Sequence, residues 1–426
     1  MQLAWSWAHP PERVTAPRKS LLDELASFHA FGQRTRTVSV TFSDAAGAIR
    51  EIPAFVNEFW TAKQRQAHSL HEVSYRACFK PQLPRFFIER LTKPGDVVYD
   101  PFMGRGTTPM EATLLGRIAF ANDINPLSLV FTQPRLNPPR LQEIEERLNE
   151  IDFGAKAECP VELLTFYHPE TLQEIGALRN YFLARQRKQS LEPIDEWLRL
   201  VALNRLTGHS AGFFSVYTLP PNQAVSVKSQ AKINAKRNQK PPRRDVPKLI
   251  LKKSRQLLGD CDSATRRILA GVTPKLLLLT EPAAATPQIP TASVALVVTS
   301  PPFLDVVQYA DDNWLRCWFL GIDPKSVKLT VPRKLEEWRA AMTEVFRELY
   351  RVLRPGGHVA FEVGEIHAGR TKLEEAVLPC GIAAGLQPLL VLINDQKFTK
   401  TANCWGVDNM SKGTNTNRVV LFRKPG

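Results

Sequence analysis

The chain has 426 residues, 43% of them hydrophobic, which is enough for a large core and more than one structural unit and excludes a low-complexity, disordered polypeptide. Lys and Arg outnumber Asp and Glu by 56 to 42; the excess of +14 favours a polyanionic partner, although many soluble proteins are basic too. No run of 18 apolar residues occurs and the start, Met1 to Trp7, lacks a basic segment followed by an apolar one, so neither a membrane span nor a secretory leader is expected and the expected location is cytoplasmic.

In chain order, Thr37 to Phe42 alternates polar and apolar residues, Asp44 to Gly47 turns, and Ile49 to Val56 returns, which predicts a hairpin in an N-terminal arm. Pro84 to Leu91 has amphipathic helical spacing, and Asp96 to Asp100 is a short buried strand that runs into a glycine segment. Thr108 to Leu115 is helical again, Gly116 stops it, and Ile118 to Ala121 is a second strand followed by Asp123. Strand, glycine turn, helix, strand, acid is the order of a parallel nucleotide-binding unit.

Beyond Pro126 the pattern turns helical, over 139–151, 169–187 and 194–206. A Gly- and Ser-rich stretch, Gly208 to Tyr217, leads to a tract between Lys228 and Arg255 with eleven Lys or Arg residues against one acid, Asp245. Strands resume at Lys275 to Thr280 and at Val294 to Val298. A helix over 335–353 then ends at Pro355-Gly356-Gly357, a strand follows over 358–363, and 386–394 with 417–422 suit an antiparallel pair. One doubly wound α/β sheet interrupted by a large insertion accounts for this order. Its parts are an arm (1–69), a first catalytic part (70–134), an inserted helical and basic region (135–274) and a second catalytic part (275–426).

The glycine segment is Asp100-Pro101-Phe102-Met103-Gly104-Arg105-Gly106-Thr107-Thr108. Gly104 and Gly106 let the backbone approach a ligand closely, and the following helix offers free N–H groups. A tight turn without a ligand would use the same glycines. Asp123, about 20 residues on, favours the ligand, because a carboxylate there can accept hydrogen bonds from both ribose hydroxyls. No third glycine follows, which counts against a dinucleotide, and no Gly-Lys-Ser/Thr follows, which excludes a phosphate loop.

The second segment, Thr299-Ser300-Pro301-Pro302-Phe303, follows an apolar strand. An exocyclic base amine is a poor nucleophile because its lone pair is delocalised into the ring, so an enzyme needs acceptors that bind its N–H groups and favour a pyramidal nitrogen. Ser300 offers a hydroxyl and Pro301 a carbonyl, Pro302 stiffens the turn and removes an N–H donor, and Phe303 offers a stacking face. An ordinary proline turn after a buried strand is the alternative.

With Asn122-Asp123-Ile124-Asn125-Pro126, and Ser74 to Pro81 upstream, these segments resemble the motifs of S-adenosylmethionine-dependent DNA amino-methyltransferases, in particular the N4-cytosine, Ser-Pro-Pro-Phe type. The resemblance spans 70–130 and 275–425 and implies a Rossmann-like methyltransferase sheet. It implies that Lys80, Pro81, Asp100, Pro101, Phe102, Gly104, Gly106, Thr107, Thr108, Asp123 and Ile124 border S-adenosyl-L-methionine. It also implies that Ser300, Pro301, Pro302 and Phe303 hold the target amine. The motif order places target recognition in the insertion, where Lys236, Arg237, Arg243, Arg244, Lys252 and Lys253 would meet the phosphates of double-stranded DNA; a solvated loop is the alternative for that tract.

The expected reaction is methyl transfer to cytosine N4 in extruded bases of DNA, in a restriction-modification setting with a cognate endonuclease as candidate partner, or as an orphan modification enzyme. Adenine N6 in DNA, RNA, and a catalytically silent DNA-binding scaffold are the competing readings. Cytosine-C5 chemistry would need a Pro-Cys nucleophile after the catalytic strand, and Pro379-Cys380 sits in a helix-like segment, so Cys380 reads as a core thiol. The six cysteines are scattered without Cys-x-x-Cys pairs or a His at zinc spacing, and no metal is expected.

Overall fold

The computed structural model describes residues 20–43, 47–61, 67–75, 78–219, 224–302, 309–324, 327, 332, 334–366, 371–395 and 416–426. A short helix α1 (Leu21–Ala26) precedes the hairpin β1 (Arg36–Ser43) and β2 (Ile49–Asn57), then α2 (Gln82–Leu91), β3 (Val97–Asp100), α3 (Thr107–Leu114) and β4 (Ile118–Asn122). Seven helices follow: α4 (Pro126–Leu136), α5 (Leu141–Glu150), α6 (Pro169–Arg187), α7 (Pro193–Arg205), α8 (Val227–Arg237), α9 (Val246–Leu257) and α10 (Ser263–Val272). The sheet resumes with β5 (Leu277–Leu279) and β6 (Val294–Thr299), then α11 (Tyr309–Leu320), α12 (Leu335–Val352) and β7 (Leu353–Val363). The chain closes with the two-residue strands β8 (Glu365–Ile366) and β9 (Thr371–Lys372), α13 (Leu373–Ala383), β10 (Gln387–Asp395) and β11 (Thr416–Arg423).

Among the described residues these strands form a nine-stranded sheet in the order β1-β2-β10-β11-β7-β6-β3-β4-β5, with β8 and β9 pairing apart. The five from β7 to β5 run parallel, and β11 is antiparallel to both its neighbours. From β3 the chain builds outward through β4 to β5, then returns to add β6 and β7 on the other side. The strand order therefore reverses between β3 and β6, and the crevice beyond the carboxyl ends of those two strands is where an open α/β sheet binds ligands.

Period-two alternation sends successive side chains to opposite faces. Val98, Leu296, Val298 and Ala360 pack with Phe86 and Phe87 of α2, while Tyr99, Val297, Val359 and Phe361 pack with Trp338 and Phe346 of α12. Both faces are thus covered, as a parallel sheet requires. The expected Rossmann-like α/β sheet with a helical insertion is the observed architecture.

Several local expectations change. The N-terminal hairpin forms as expected and joins the main sheet: β2 pairs in parallel with β10, Val391 opposite Ala54 through Asn394 opposite Asn57. The Asn394 side chain then accepts from the N–H groups of Phe59 and Trp60 at 2.6 and 3.2 Å and fixes the exit of β2. Pro355-Gly356-Gly357 ends no helix; β7 already starts at Leu353, and the N–H of Gly356, at φ +74°, donates to the carbonyl of Lys424. The basic tract forms α8 and α9, capped by Ser226 and Asp245. The inserted helices bury Phe166, Phe182 and Trp197 in one cluster with Met110 of α3 and Leu315 of α11, so their core is continuous with that around α3 and α11. No helix among the described residues is long and apolar enough to cross a membrane.

Candidate active site

The glycine segment leaves β3 at its carboxyl end and enters α3 at Thr107. Gly104 and Gly106 have φ of +50° and +79°, in the left-handed region where a Cβ is strained. At Gly106 a Cβ would also lie 2.3 Å from Thr132 Oγ1 of α4, whereas at Gly104 its nearest neighbour would be Cys78 Sγ at 3.8 Å. The first glycine is demanded by conformation, the second by conformation and packing together.

Asp123, beyond β4, accepts from the N–H of Gly104 at 2.8 Å on Oδ2 and from the N–H of Asn125 at 2.9 Å on Oδ1. An ionised carboxylate has about four acceptor positions, so this half-buried group keeps lone pairs for a ligand's hydroxyls while shaping the turn. Burial pushes its carboxyl up from the usual range. Ile124 beside it is half-buried. Asn122 ties Pro101 in place, donating to its carbonyl at 3.3 Å and to that of Glu281 at 2.9 Å.

Residues 68–75 and 78–80 lie against this turn and are held by side chains from three helices or turns. Arg105 donates to the carbonyl of Val73 at 2.9 Å. Arg135 of α4, wholly buried, donates to the carbonyls of Phe131 and Leu70 at 2.7 and 2.9 Å and to that of Arg105. Burial and the neighbouring Arg105 pull its guanidinium down to about 9. His71 contacts Glu111 of α3 at 2.7 Å, and burial lowers its imidazole to about 4, so it is neutral at pH 7. Asn125 donates to Tyr75 Oη at 2.7 Å. Lys80 is half-buried, its ammonium pulled down by burial and by Arg105, and Pro81 is the N-cap residue of α2.

Asp100 is buried at the end of β3 and joins the two halves of the site. Its Oδ1 accepts from the hydroxyl of Thr299 at 2.6 Å and from the N–H of Phe102 at 3.1 Å. Burial pushes its carboxyl up to about 7, against these hydrogen bonds. Thr107 and Thr108 are buried, and the Thr108 hydroxyl donates to the carbonyl of Val298 at 3.0 Å, a second link to β6, this one from α3. Phe102 is half-buried.

After Thr299 come Ser300, half-buried, Pro301, buried, and Pro302, exposed; Phe303 lies outside the described residues. The Ser300 hydroxyl hydrogen-bonds the buried Glu362 carboxylate of β7. Trp338 of α12 donates its indole N–H to the carbonyl of Pro302 at 3.0 Å, leaving the Pro301 carbonyl as the neighbouring acceptor. Sequence reasoning missed Glu362, Trp338 and the Arg105–Arg135 clip. A lone acid inside an apolar strand was the one visible trace of Glu362.

The basic residues divide. Lys236, Lys252 and Arg237 are exposed, with the Arg237 guanidinium 3.8 Å over the Tyr217 ring. Arg244 is half-buried. Arg243 and Lys253 depart from the phosphate-binding expectation because carboxylates already engage them. Arg243 donates to Glu170 at 2.9 Å and pairs with Glu174. Lys253 is buried on the inner face of α9, 3.6 Å from Glu72, and burial pulls its ammonium down to about 8.

Residues 39–128 match the sequence model of a family described as DNA methylase. The Type II methyltransferase M.MjaII of Methanocaldococcus jannaschii is 30% identical over 140 residues, 32% of this chain and 25% of that protein. M.MvaI of Kocuria varians, another Type II methyltransferase, is 31% identical over 97 residues, 22% of this chain and 20% of that protein. The matches thus span a quarter or less of these relatives' length. A geranyl diphosphate methyltransferase structure with GPP and sinefungin aligns over 81% of this chain and 79% of its own at 10% identity and a TM-score of 0.34.

Proposed function

We propose that this member of the DNA methylase family, matched through residues 39–128, methylates an exocyclic base amine in DNA, the N4 amine of cytosine, with S-adenosylmethionine as methyl donor. The observation that carries this reading is the Asp100–Thr299 hydrogen bond of 2.6 Å. It holds the ligand-cradling glycine turn and the amine-accepting segment at adjacent strand ends, within one crevice. The residues fit the cofactor: Gly104 puts no side chain on the turn, and Asp123 keeps acceptor positions for ribose hydroxyls.

Bound in this crevice, S-adenosylmethionine supplies an electrophilic methyl group on a sulfonium. The chain's own part is to bind, aim and shield. Ser300 Oγ and the Pro301 carbonyl accept the amine's N–H groups, which localises its lone pair on nitrogen and directs it toward the methyl carbon. Phe303 provides the aromatic face for an extruded base, and residues 68–75 and 78–80 exclude water from the cofactor side. Lys236, Arg237, Arg244 and Lys252 bind backbone phosphates, and the helical insertion, with Gly208 to Tyr217, reads the target. The serine in the first clamp position supports cytosine over adenine. The Type II relatives support a restriction-modification setting.

The test is incubation with S-adenosylmethionine and unmodified double-stranded DNA, followed by digestion to nucleosides and mass spectrometry. N4-methylcytosine is expected. N6-methyladenine would overturn the base assignment, and the absence of any methylated nucleoside would overturn the activity.

A further inference from the structure

Among the described residues, Glu362 has two donors and no cation beside it. It lies on β7, where Phe361 pairs with Thr299 of β6, so its side chain stands alongside Ser300, one residue past the end of β6. It is 6% exposed. The Ser300 hydroxyl and the Asn417 amide of β11 hydrogen-bond its carboxylate, the latter at 3.0 Å on Oε1. The next residue of β11, Arg418, sends its guanidinium to another buried carboxylate, Glu374 of α13. Burying a carboxylate without a cation is costly, and a cation one residue away serves a different acid. Burial accordingly raises the Glu362 carboxyl above its ordinary range. That uncompensated cost is a mark of a functional site.

A hydroxyl is both donor and acceptor, and its proton rotates to suit its surroundings. Two N–H groups of a target amine require partners that only accept. With no acceptor behind it, Ser300 would present its proton to the crevice in part of the population and repel the amine. An ionised carboxylate can only accept, so it takes that proton and leaves the serine lone pairs outward. Asn417, donating to the same carboxylate, keeps it from turning away.

We propose that Glu362 is the positioning residue that fixes the polarity of the amine-binding segment, holding the Ser300 proton so that Ser300 faces the crevice as an acceptor only. The proposal rests on the methyl-transfer reading above. It adds a specificity consequence: bases that present a carbonyl at the same edge, thymine and guanine, meet acceptor against acceptor and are rejected, while cytosine and adenine are admitted.

The experiment uses the full chain and compares wild type, Glu362→Gln and Glu362→Asp. Single-turnover methyl transfer to DNA, cofactor affinity and thermal melting are measured for each, the transfer rate across pH. Among the described residues, the charged groups on flanking elements are Asp100 of β3, which holds Thr299, and the Arg418–Glu374 pair of β11 and α13. Glu362→Gln can donate an amide N–H to Ser300 and reverse its polarity. Its transfer rate should fall about a hundredfold with cofactor affinity and melting retained. Glu362→Asp should recover part of the rate. Wild type should lose rate on the acid side as Glu362 takes up a proton, and Glu362→Gln should lack that limb. A Glu362→Gln rate equal to wild type would overturn this inference and leave the methyl-transfer reading intact. A rate loss matched by lost cofactor binding and early melting in both variants would also overturn it, since a structural role gives that result. Wild type that transfers no methyl group to any DNA amine would remove the activity and this inference together.

Discussion

The Thr299 hydroxyl donates a 2.6 Å hydrogen bond to Asp100 Oδ1, joining the last residue of β6 to the last residue of β3. These strands are adjacent and parallel, yet 199 residues separate the two side chains, and the whole helical insertion leaves and returns between them. Asp100 also receives the Phe102 N–H, so one buried carboxylate sets both the start of the glycine turn and the end of the strand that carries Ser300. The geometry of the glycine turn and that of the Ser300 segment are thereby coupled through a single group.

That group should leave a signature in stability against pH. Burial raises the Asp100 carboxyl to about 7, well above the roughly 3.9 of an unfolded aspartate. Between those values the folded state holds a proton that the unfolded state has released. The contribution is therefore fully present below the unfolded value and is lost as pH rises through about 7, at up to about 1.4 kcal/mol per pH unit. Asp100→Asn cannot titrate. Denaturant midpoints at about pH 5 and pH 8 should show wild type losing stability relative to the variant over this interval. Parallel profiles would mean that Asp100 is ionised throughout.

Asp123 both shapes the turn and, in the proposed activity, binds ribose. Asp123→Ala should weaken S-adenosylmethionine binding by about ten- to a hundredfold, as expected for the loss of charge-assisted hydrogen bonds worth roughly 1.5–3 kcal/mol. Asp123→Asn keeps one acceptor oxygen and should lose less. Calorimetric titration of both variants decides; equal affinity of Asp123→Ala and wild type would remove Asp123 from the cofactor site.

Much of this site was legible because its signals are local. The strand, glycine turn, helix, strand and acid of 96–123 follow one another in sequence, as do the apolar β6 and Thr299 to Pro302. What stayed hidden depends on distant pairing or mixed patterning. The parallel join of β2 to β10 links segments more than 330 residues apart. In α9 the buried stripe is Val246, Ile250, Lys253, Ser254 and Leu257; a lysine and a serine fill inner positions, so its amphipathic period was lost among the cations. Glu362 and Trp338 reach the site from β7 and α12, and nothing near them in sequence names their partners.

The two glycines of the turn should respond unequally to alanine. At Gly106 the left-handed conformation costs roughly 1–2 kcal/mol and the contact with Thr132 adds about 1–3 kcal/mol. Gly104→Ala meets only the conformational part, since its Cβ would find Cys78 Sγ at an ordinary 3.8 Å. Gly106→Ala with Thr132→Ala removes the two closest contacts and leaves Thr132 Cβ at 2.9 Å, so it should recover part of the packing cost, a coupling that a double-mutant cycle of unfolding free energies measures. Additive effects would show that α4 yields to the added methyl.

The exposed and the paired cations of the insertion should separate in the salt dependence of DNA binding. Each phosphate neutralised contributes a slope of about 0.9 in log affinity against log salt on duplex DNA. Lys236 and Lys252 are exposed on α8 and α9, so replacing both by alanine should flatten the slope by about 1.8. Arg243 is engaged by Glu170 and Glu174, so Arg243→Ala should leave the slope unchanged and lower thermal stability by stranding Glu174, which is largely buried. Binding isotherms at several salt concentrations test both. A slope that falls with Arg243→Ala and not with the lysine pair would mean that DNA breaks the Arg243 ion pairs and approaches the insertion from the α6 side.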